Sequence, residues 1–394
     1  MITRIIIPLL VMILLPDAYI YMRHIRAKAR LSLRLLWWLP SLLLAIFTVG
    51  IGCSRDFAPK DNTILNSYLF LFGLFVVPKL VFAIFSLVGH GVKIVFHTRR
   101  NYGAFAGGTL AVCCLYVLFY GIFIGFGKLD VRHEDYYSET LPALFDGYRI
   151  VHFSDAHVGT YGRSYAKMLS RAVDSMNAQH PDLIVFTGDL QNMRPDEIRP
   201  HVSVLGRLKA SDGVFSVLGN HDYADYISAS ADVKAANERE TVLLQGCMGW
   251  TLLRNENRVI RRGADSIVIS GMENDGDGRL YSRRGNICKT LAGVSDSAFV
   301  VMLEHDPTSW RNRILPYSNA ALTLCGHTHA MQFELFGWSP VAFKYSEWGG
   351  MYHEGSRAVN VSTGLGGFIP FRFGVPGEIV VITLHRGTKP IISK

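Results

Sequence analysis

Acidic residues are nearly missing from the first third of this chain. Residues 1–130 hold 4 Asp/Glu against 13 Lys/Arg, a net of +9, whereas residues 131–394 hold 28 against 27, a net of −1. The overall charge of +8 therefore belongs to the N-terminal third. The larger part has no bulk positive field for a polyanion, which argues against nucleic acid as a partner. Cysteine is sparse as well, six residues without framework spacing, so a disulfide-stapled scaffold is excluded. Cys113, Cys114 and Cys53 belong to apolar runs and Cys325 to a strand, which leaves Cys247 and Cys288 as the one candidate pair in an oxidising compartment. A small-x-small cleavage site is also missing after the first apolar stretch, where Asp17-Ala18-Tyr19-Ile20-Tyr21 runs into a basic cluster. That stretch reads as an uncleaved anchor rather than a signal peptide.

Four apolar stretches fill the N-terminal third, at about 5–21, 35–52, 68–89 and 104–126. Each is long enough to cross a bilayer core as a helix. Arg23, Arg26, Lys28, Arg30 and Arg34 follow the first stretch, and Lys93, Arg99 and Arg100 follow the third. The loop between the second and third balances Arg55 and Lys60 against Asp56 and Asp61. Positive loops stay on the cytoplasmic side, so both termini and residues 131–394 are expected outside the cytoplasm. Lys79, after Pro78 in the third stretch, needs a partner there. It is read as a Lys buried against the bundle near Asp17, as a sign that the helix limits differ from 68–89, or as a counter-charge for an anionic headgroup.

From Tyr148 onward strand and helix signals alternate. Strands are expected at 149–154, 183–187, 213–218, 267–270, 299–304, 321–325, 358–362 and 378–384, and helices at 164–179 and 196–209. Five short segments, each just after an apolar run, carry potential metal ligands: Asp155-Ala156-His157, Gly188-Asp189, Gly219-Asn220-His221-Asp222, His305, and Gly326-His327-Thr328-His329. An isolated Asp here is as easily a helix cap, and an isolated His a satisfied core residue. Their joint occurrence at strand ends, where loops of α/β sheets converge, points to one site. Carboxylate, imidazole and amide oxygen together suit manganese, iron or zinc. His152 reads as a core residue and His353 as a loop residue.

In this order and spacing the segments resemble the calcineurin-like metallophosphoesterases over about residues 145–386. The resemblance implies an α/β fold, a four-layer α/β/β/α sandwich (131–394) preceded by a four-helix transmembrane region (1–130). It implies two divalent metal ions, with Asp155, His157 and His329 on one, Asn220, His305 and His327 on the other, and Asp189 bridging. A water activated between them would attack, with His221 as general acid held by Asp222. The tail through Trp348-Gly349-Gly350, Gly364-Leu365-Gly366-Gly367 and Pro370–Ile379 resembles the membrane-associated branch with YaeI- and YkuE-like phosphodiesterases and transmembrane metallophosphoesterases. Many relatives place Gly-Gly after the last histidine, where this chain has Ala330-Met331, a bulkier and apolar pocket wall.

Residues 333–373 contain ten Phe, Trp or Tyr, either a rim against lipid or packing under the C-terminal strands. Arg372 is a candidate for positioning phosphate. The expected function is hydrolysis of a phosphodiester or pyrophosphate bond of a lipid-linked or cell-envelope substrate by an integral protein of a bacterial plasma membrane. Its partners are the bilayer and that phosphoester. The alternatives are a step like UDP-diacylglucosamine pyrophosphate hydrolysis in lipid A synthesis, which belongs to the opposite membrane face, a metal-holding receptor or scaffold without turnover, and a nuclease, which the −1 net charge disfavours.

Overall fold

The computed structural model describes residues 2–53, 62–162, 165–277 and 283–389. The balanced loop of Arg55, Asp56, Lys60 and Asp61 lies outside the described residues. The chain divides into two compact units, Met1–Ile124 and Gly125–Lys394. The first strand, Leu129–Ser138, crosses the boundary expected at residue 130.

The first unit is helical: α1 (Ile2–Ile20), α2 (Leu31–Gly52), α3 (Asn62–Phe75), α4 (Val77–Val95) and α5 (Tyr102–Phe123). By length and composition the described residues hold four candidate membrane spans, Ile6–Ile25, Leu31–Gly52, Thr63–Val95 and Tyr102–Gly127. The third is longer than the 68–89 expected, because polar Asn66 and Ser67 lie within its first helix, α3, rather than ahead of it. It breaks at Val76, just before Pro78, whose ring nitrogen cannot donate to the preceding turn. Lys79 is half-buried against the bundle: its Nζ lies 2.8 Å from Asp17 Oδ1, donates to Ser41 Oγ at 3.1 Å, and sits 4.7 Å from the Trp37 ring centroid. Pairing of this kind is what lets a charge persist at membrane depth.

Among its described residues the second unit contains twelve strands, β1 (Leu129–Ser138), β2 (Arg149–Phe153), β3 (Leu183–Phe186), β4 (Val214–Ser216), β5 (Thr251–Leu252), β6 (Glu256–Arg262), β7 (Asp265–Gly271), β8 (Val300–Leu303), β9 (Leu322–Cys325), β10 (Gly350–Glu354), β11 (Arg357–Val361) and β12 (Gly377–Arg386). They form two six-stranded sheets, in the orders β1-β12-β2-β3-β4-β5 and β10-β11-β9-β8-β7-β6. Residues that alternate along the strands face two different cores. Ile150, Val185, Val217, Ile267, Val301 and Leu324 meet between the sheets. Val151, Phe153, Ile184 and Phe186 pack instead on the helix α6 (Ala166–Asn177) through Leu169, Ala172, Val173 and Met176. Val268, Val300, Met302 and Val359 cover the outer face of the second sheet against Trp310 and Ile314. These layers are the expected sandwich, and burial on both faces explains why its central strands read as continuous apolar runs.

The helix expected at 196–209 is broken into 3-10 turns at Pro195–Glu197 and Arg199–His201 and a single turn, α7 (Val202–Leu205). Pro200 removes a donor in its middle. Elements outside the expected set include α8 (Ala231–Cys247), where only Thr241, Leu244 and Gln245 are buried and no apolar stripe forms, and the charged edge strand β1. Cys247 and Cys288 are free and exposed, so the candidate pair is not formed.

Candidate metal centre

Ligand-bearing loops leave the C-terminal ends of β2, β3 and β4 in one sheet and of β8 and β9 in the other, and they converge. Asp155, His157, Asp189 and His329 offer ligand atoms that all lie within 4.8 Å of one another, as do Asp189, His305 and His327. Asp189 is common to both groups. Asn220 joins the second, its Oδ1 lying 2.8 Å from His327 Nδ1. All seven residues of the expected set are therefore brought together.

The backbone concedes a good deal to achieve this. Asp155, His157, Asp189, His327 and His329 have φ of 52°, 44°, 60°, 73° and 51°. The left-handed region costs a non-glycine residue roughly 1–2 kcal/mol, so strain is concentrated at the site. Gly219 and Gly326 are required by close approach: a Cβ on the first would strike Asp189, and one on the second Ser154 and Asp155.

Hydrogen bonds on the outer edges of the rings fix which nitrogen faces inward. His305 Nδ1 donates to the Thr187 carbonyl at 2.7 Å, which leaves Nε2 facing Asp189 Oδ2 at 3.2 Å and His327 Nδ1 at 3.2 Å. His327 Nε2 is 2.9 Å from the Tyr345 hydroxyl and 3.4 Å from Asp306 Oδ2, so its Nδ1 faces inward. His157 Nδ1 pairs with Asn192 Oδ1 at 3.1 Å. Its Nε2 then faces His329 Nε2 at 3.2 Å and Asp189 Oδ2 at 3.6 Å. Asp155 Oδ1 lies 3.1 Å from His329 Nε2. Lone pairs and carboxylate oxygens thus point at one another in two adjoining groups, an arrangement that positive charge must compensate. Electrostatics agree. Burial raises the Asp155 and Asp189 carboxyls, but facing histidines outweigh it and hold both below the ordinary carboxylate range. Burial, reinforced by His221, pushes His157 down to about 3. Burial also lowers His305, yet Asp189 and Asp155 prevail and hold it well above its ordinary value.

His221 sits beside this cluster. Its backbone N–H donates to Asp189 Oδ1 at 2.8 Å, and its ring lies 4.6 Å from that of Tyr226. Nδ1 is held by the carbonyl of Asn192 at 2.5 Å, which frees Nε2. Asp222 does not hold the ring, contrary to expectation. Its buried carboxylate accepts the backbone N–H groups of Asp189, Leu190, Gln191 and Gly219 at 2.8, 2.9, 3.3 and 2.9 Å. It therefore ties the Gly188-Asp189 turn to the Gly219-Asn220 turn. Arg372 does not face the cluster as a phosphate ligand. It is fully buried and donates to the carbonyls of Thr363, Gly364, Gly366, Val375 and Pro376. Burial lowers its pKa to about 10.

His152 is buried between Asn360 Oδ1 and Thr187 Oγ1, and His353 is exposed, as expected. Ala330 and Met331 have φ of 48°, which gives a backbone reason for Gly-Gly at that place; Ala330 is buried and Met331 exposed. Sequence reasoning missed Asn192, Tyr226 and Tyr345. Tyr226 accepts from Asn220 Nδ2 at 2.7 Å. No local pattern marks these residues, because their roles come from contacts made across the fold.

Residues 148–331 match the family model for the calcineurin-like phosphoesterases, and residues 3–126 the model for the probable calcineurin-like phosphoesterase transmembrane domain. The chain is 31% identical to the uncharacterized metallophosphoesterase YkuE of Bacillus subtilis, an alignment that covers 73% of this chain and 95% of the relative. It is 28% identical to a transmembrane protein with metallophosphoesterase domain from Danio rerio, over 80% of this chain and 72% of the relative. An uncharacterized metallophosphoesterase of Helicobacter pylori is 24% identical over 89% of each.

Proposed function

The chain belongs to the calcineurin-like phosphoesterases, and from that membership we propose that its site hydrolyses a phosphodiester or pyrophosphate bond of a lipid-linked or cell-envelope substrate. Membrane association and a hydrolase acting on phosphoesters follow from the family and from the four spans. The observation that carries the two-cation reading is the convergence of inward ring nitrogens on Asp189 Oδ2 in two adjoining groups. Asp155, His157 and His329 would hold one divalent cation and Asn220, His305 and His327 the other, with Asp189 common to both groups. The mixed donor set fits manganese, iron or zinc. Bound there, two such ions neutralise phosphoryl oxygens and lower the pKa of a water.

The chain's own residues do the rest. Asn192 and Thr187 fix the tautomers of His157 and His305 by accepting their Nδ1–H groups. Asp222 holds the two turns in register. Asn192 also aims His221, so that Nε2 can pass a proton to the departing oxygen. Loop charge favours a site outside the cytoplasm, in a bacterial plasma membrane, and hence an envelope phosphoester.

Leaving-group dependence tests the acid. With manganese, His221→Ala should keep its metal and lose roughly 10²–10⁴ in turnover on a phenyl phosphodiester, but much less on bis-p-nitrophenyl phosphate, whose leaving group needs no proton. Equal losses on both would remove His221 from the acid role. A reporter fused after Lys394 tests the side, and activity only in the cytoplasm overturns it.

A further inference from the structure

Between the site residues His329 and Tyr345 the chain makes an excursion that ends in a hairpin. Leu335 and Trp338 exchange backbone hydrogen bonds at 2.9 and 3.1 Å, and Phe336 and Gly337 turn the corner with φ of 55° and 77°. Such corners favour Asn and Gly, since a bulky side chain at positive φ is strained. Here the corner carries a phenylalanine that is 99% exposed, so this unit gains no burial from it. A 3-10 turn, Pro340–Phe343, follows and presents Phe343, 87% exposed, with its ring 5.5 Å from the exposed Trp338. Leu335 is exposed beside them. The excursion is nevertheless ordered: Glu334 N–H donates to the Phe373 carbonyl at 2.8 Å, and Ser339 Oγ to the Ala330 carbonyl at 2.6 Å.

We infer that Leu335, Phe336, Trp338 and Phe343 enter the interfacial layer of a lipid bilayer. Four large apolar groups held out on a pinned hairpin and the turn after it, one of them strained, gain only from an apolar phase outside the unit. Aromatic rings, tryptophan among them, and an adjoining exposed Lys344 are the composition that settles at the headgroup boundary. The polypeptide carries four membrane spans, so this unit is covalently held to such a phase. Since both ends of the excursion are site residues, the contact turns the mouth of the site toward headgroup phosphates. That orientation deepens the lipid-linked reading above, while the contact itself does not require hydrolysis.

The full chain in proteoliposomes containing phosphatidylcholine with a photoactivatable diazirine acyl chain provides the test. After illumination, the tryptic peptide 314–344 should carry lipid adducts between residues 335 and 343. Phe336→Asn combined with Phe343→Ser should lose them, while adducts on the spans persist and hydrolysis of bis-p-nitrophenyl phosphate is unchanged. Labelled spans with an unlabelled wild-type 314–344 peptide overturn the inference. So do adducts between residues 335 and 343 that the double variant retains undiminished.

Discussion

Replacing Asp222 by asparagine separates two roles for a residue that stands beside the candidate acid. Oδ2 accepts the N–H groups of Asp189 and Gly219, and Oδ1 those of Leu190 and Gln191. Asparagine keeps one oxygen and turns an NH2 group toward the other two donors. A buried donor without an acceptor costs about 1–3 kcal/mol, so Asp222→Asn should lose about 2–6 kcal/mol. For a domain of this size each kcal/mol moves the melting temperature by about 2–4 °C, which gives a fall of about 4–24 °C. The loss falls on the turns that carry Asp189 and Asn220, so bound manganese should decline with stability. Scanning fluorimetry on the detergent-solubilised full chain, with metal analysis of the same sample, measures both. A variant with unchanged melting and metal content but a large loss of turnover would refute the reasoning and return Asp222 to the chemistry of His221.

Met331→Gly removes a side chain from backbone at φ 48° and should stabilise the protein by about 1 kcal/mol; an unchanged or lower melting temperature contradicts the strain. His152 is held at about 4 by burial, below its ordinary 6.5. Between those values the unfolded chain binds a proton that the folded one refuses, so stability is full above about pH 6.5 and falls as the pH drops toward 4, by about 3 kcal/mol. His152→Gln should flatten that part of a urea-midpoint profile, and identical slopes refute it. Arg372→Lys leaves several carbonyls unpaired and should lower melting temperature and turnover together. A raised KM with unchanged melting would restore a phosphate contact.

The ligand residues were legible because each follows an apolar strand and brings a distinctive donor. The central strands were legible for the same reason, being buried on both faces. What the sequence could not supply was contact across the fold. Asn192 acts on His157 and His221 only because three loops meet, and Tyr345 reaches His327 from a separate turn. Asp222 adjoins His221 in the chain, and adjacency suggested a hydrogen bond that the backbone donors claim instead. Arg372 shows the same limit: its residue type suits phosphate, but burial commits it to carbonyls. The helix expected at 196–209 breaks because Pro200 removes a donor in its middle.

Metal stoichiometry bears most directly on the central claim that Asp189 joins two cation-binding groups. Full-length protein titrated with manganese should bind two ions per chain, with hydrolysis of bis-p-nitrophenyl phosphate rising only as both sites fill, and Asp189→Asn should lose metal and turnover together. Full activity with a single ion, or an Asp189→Asn variant that retains both ions and its rate, would contradict the account.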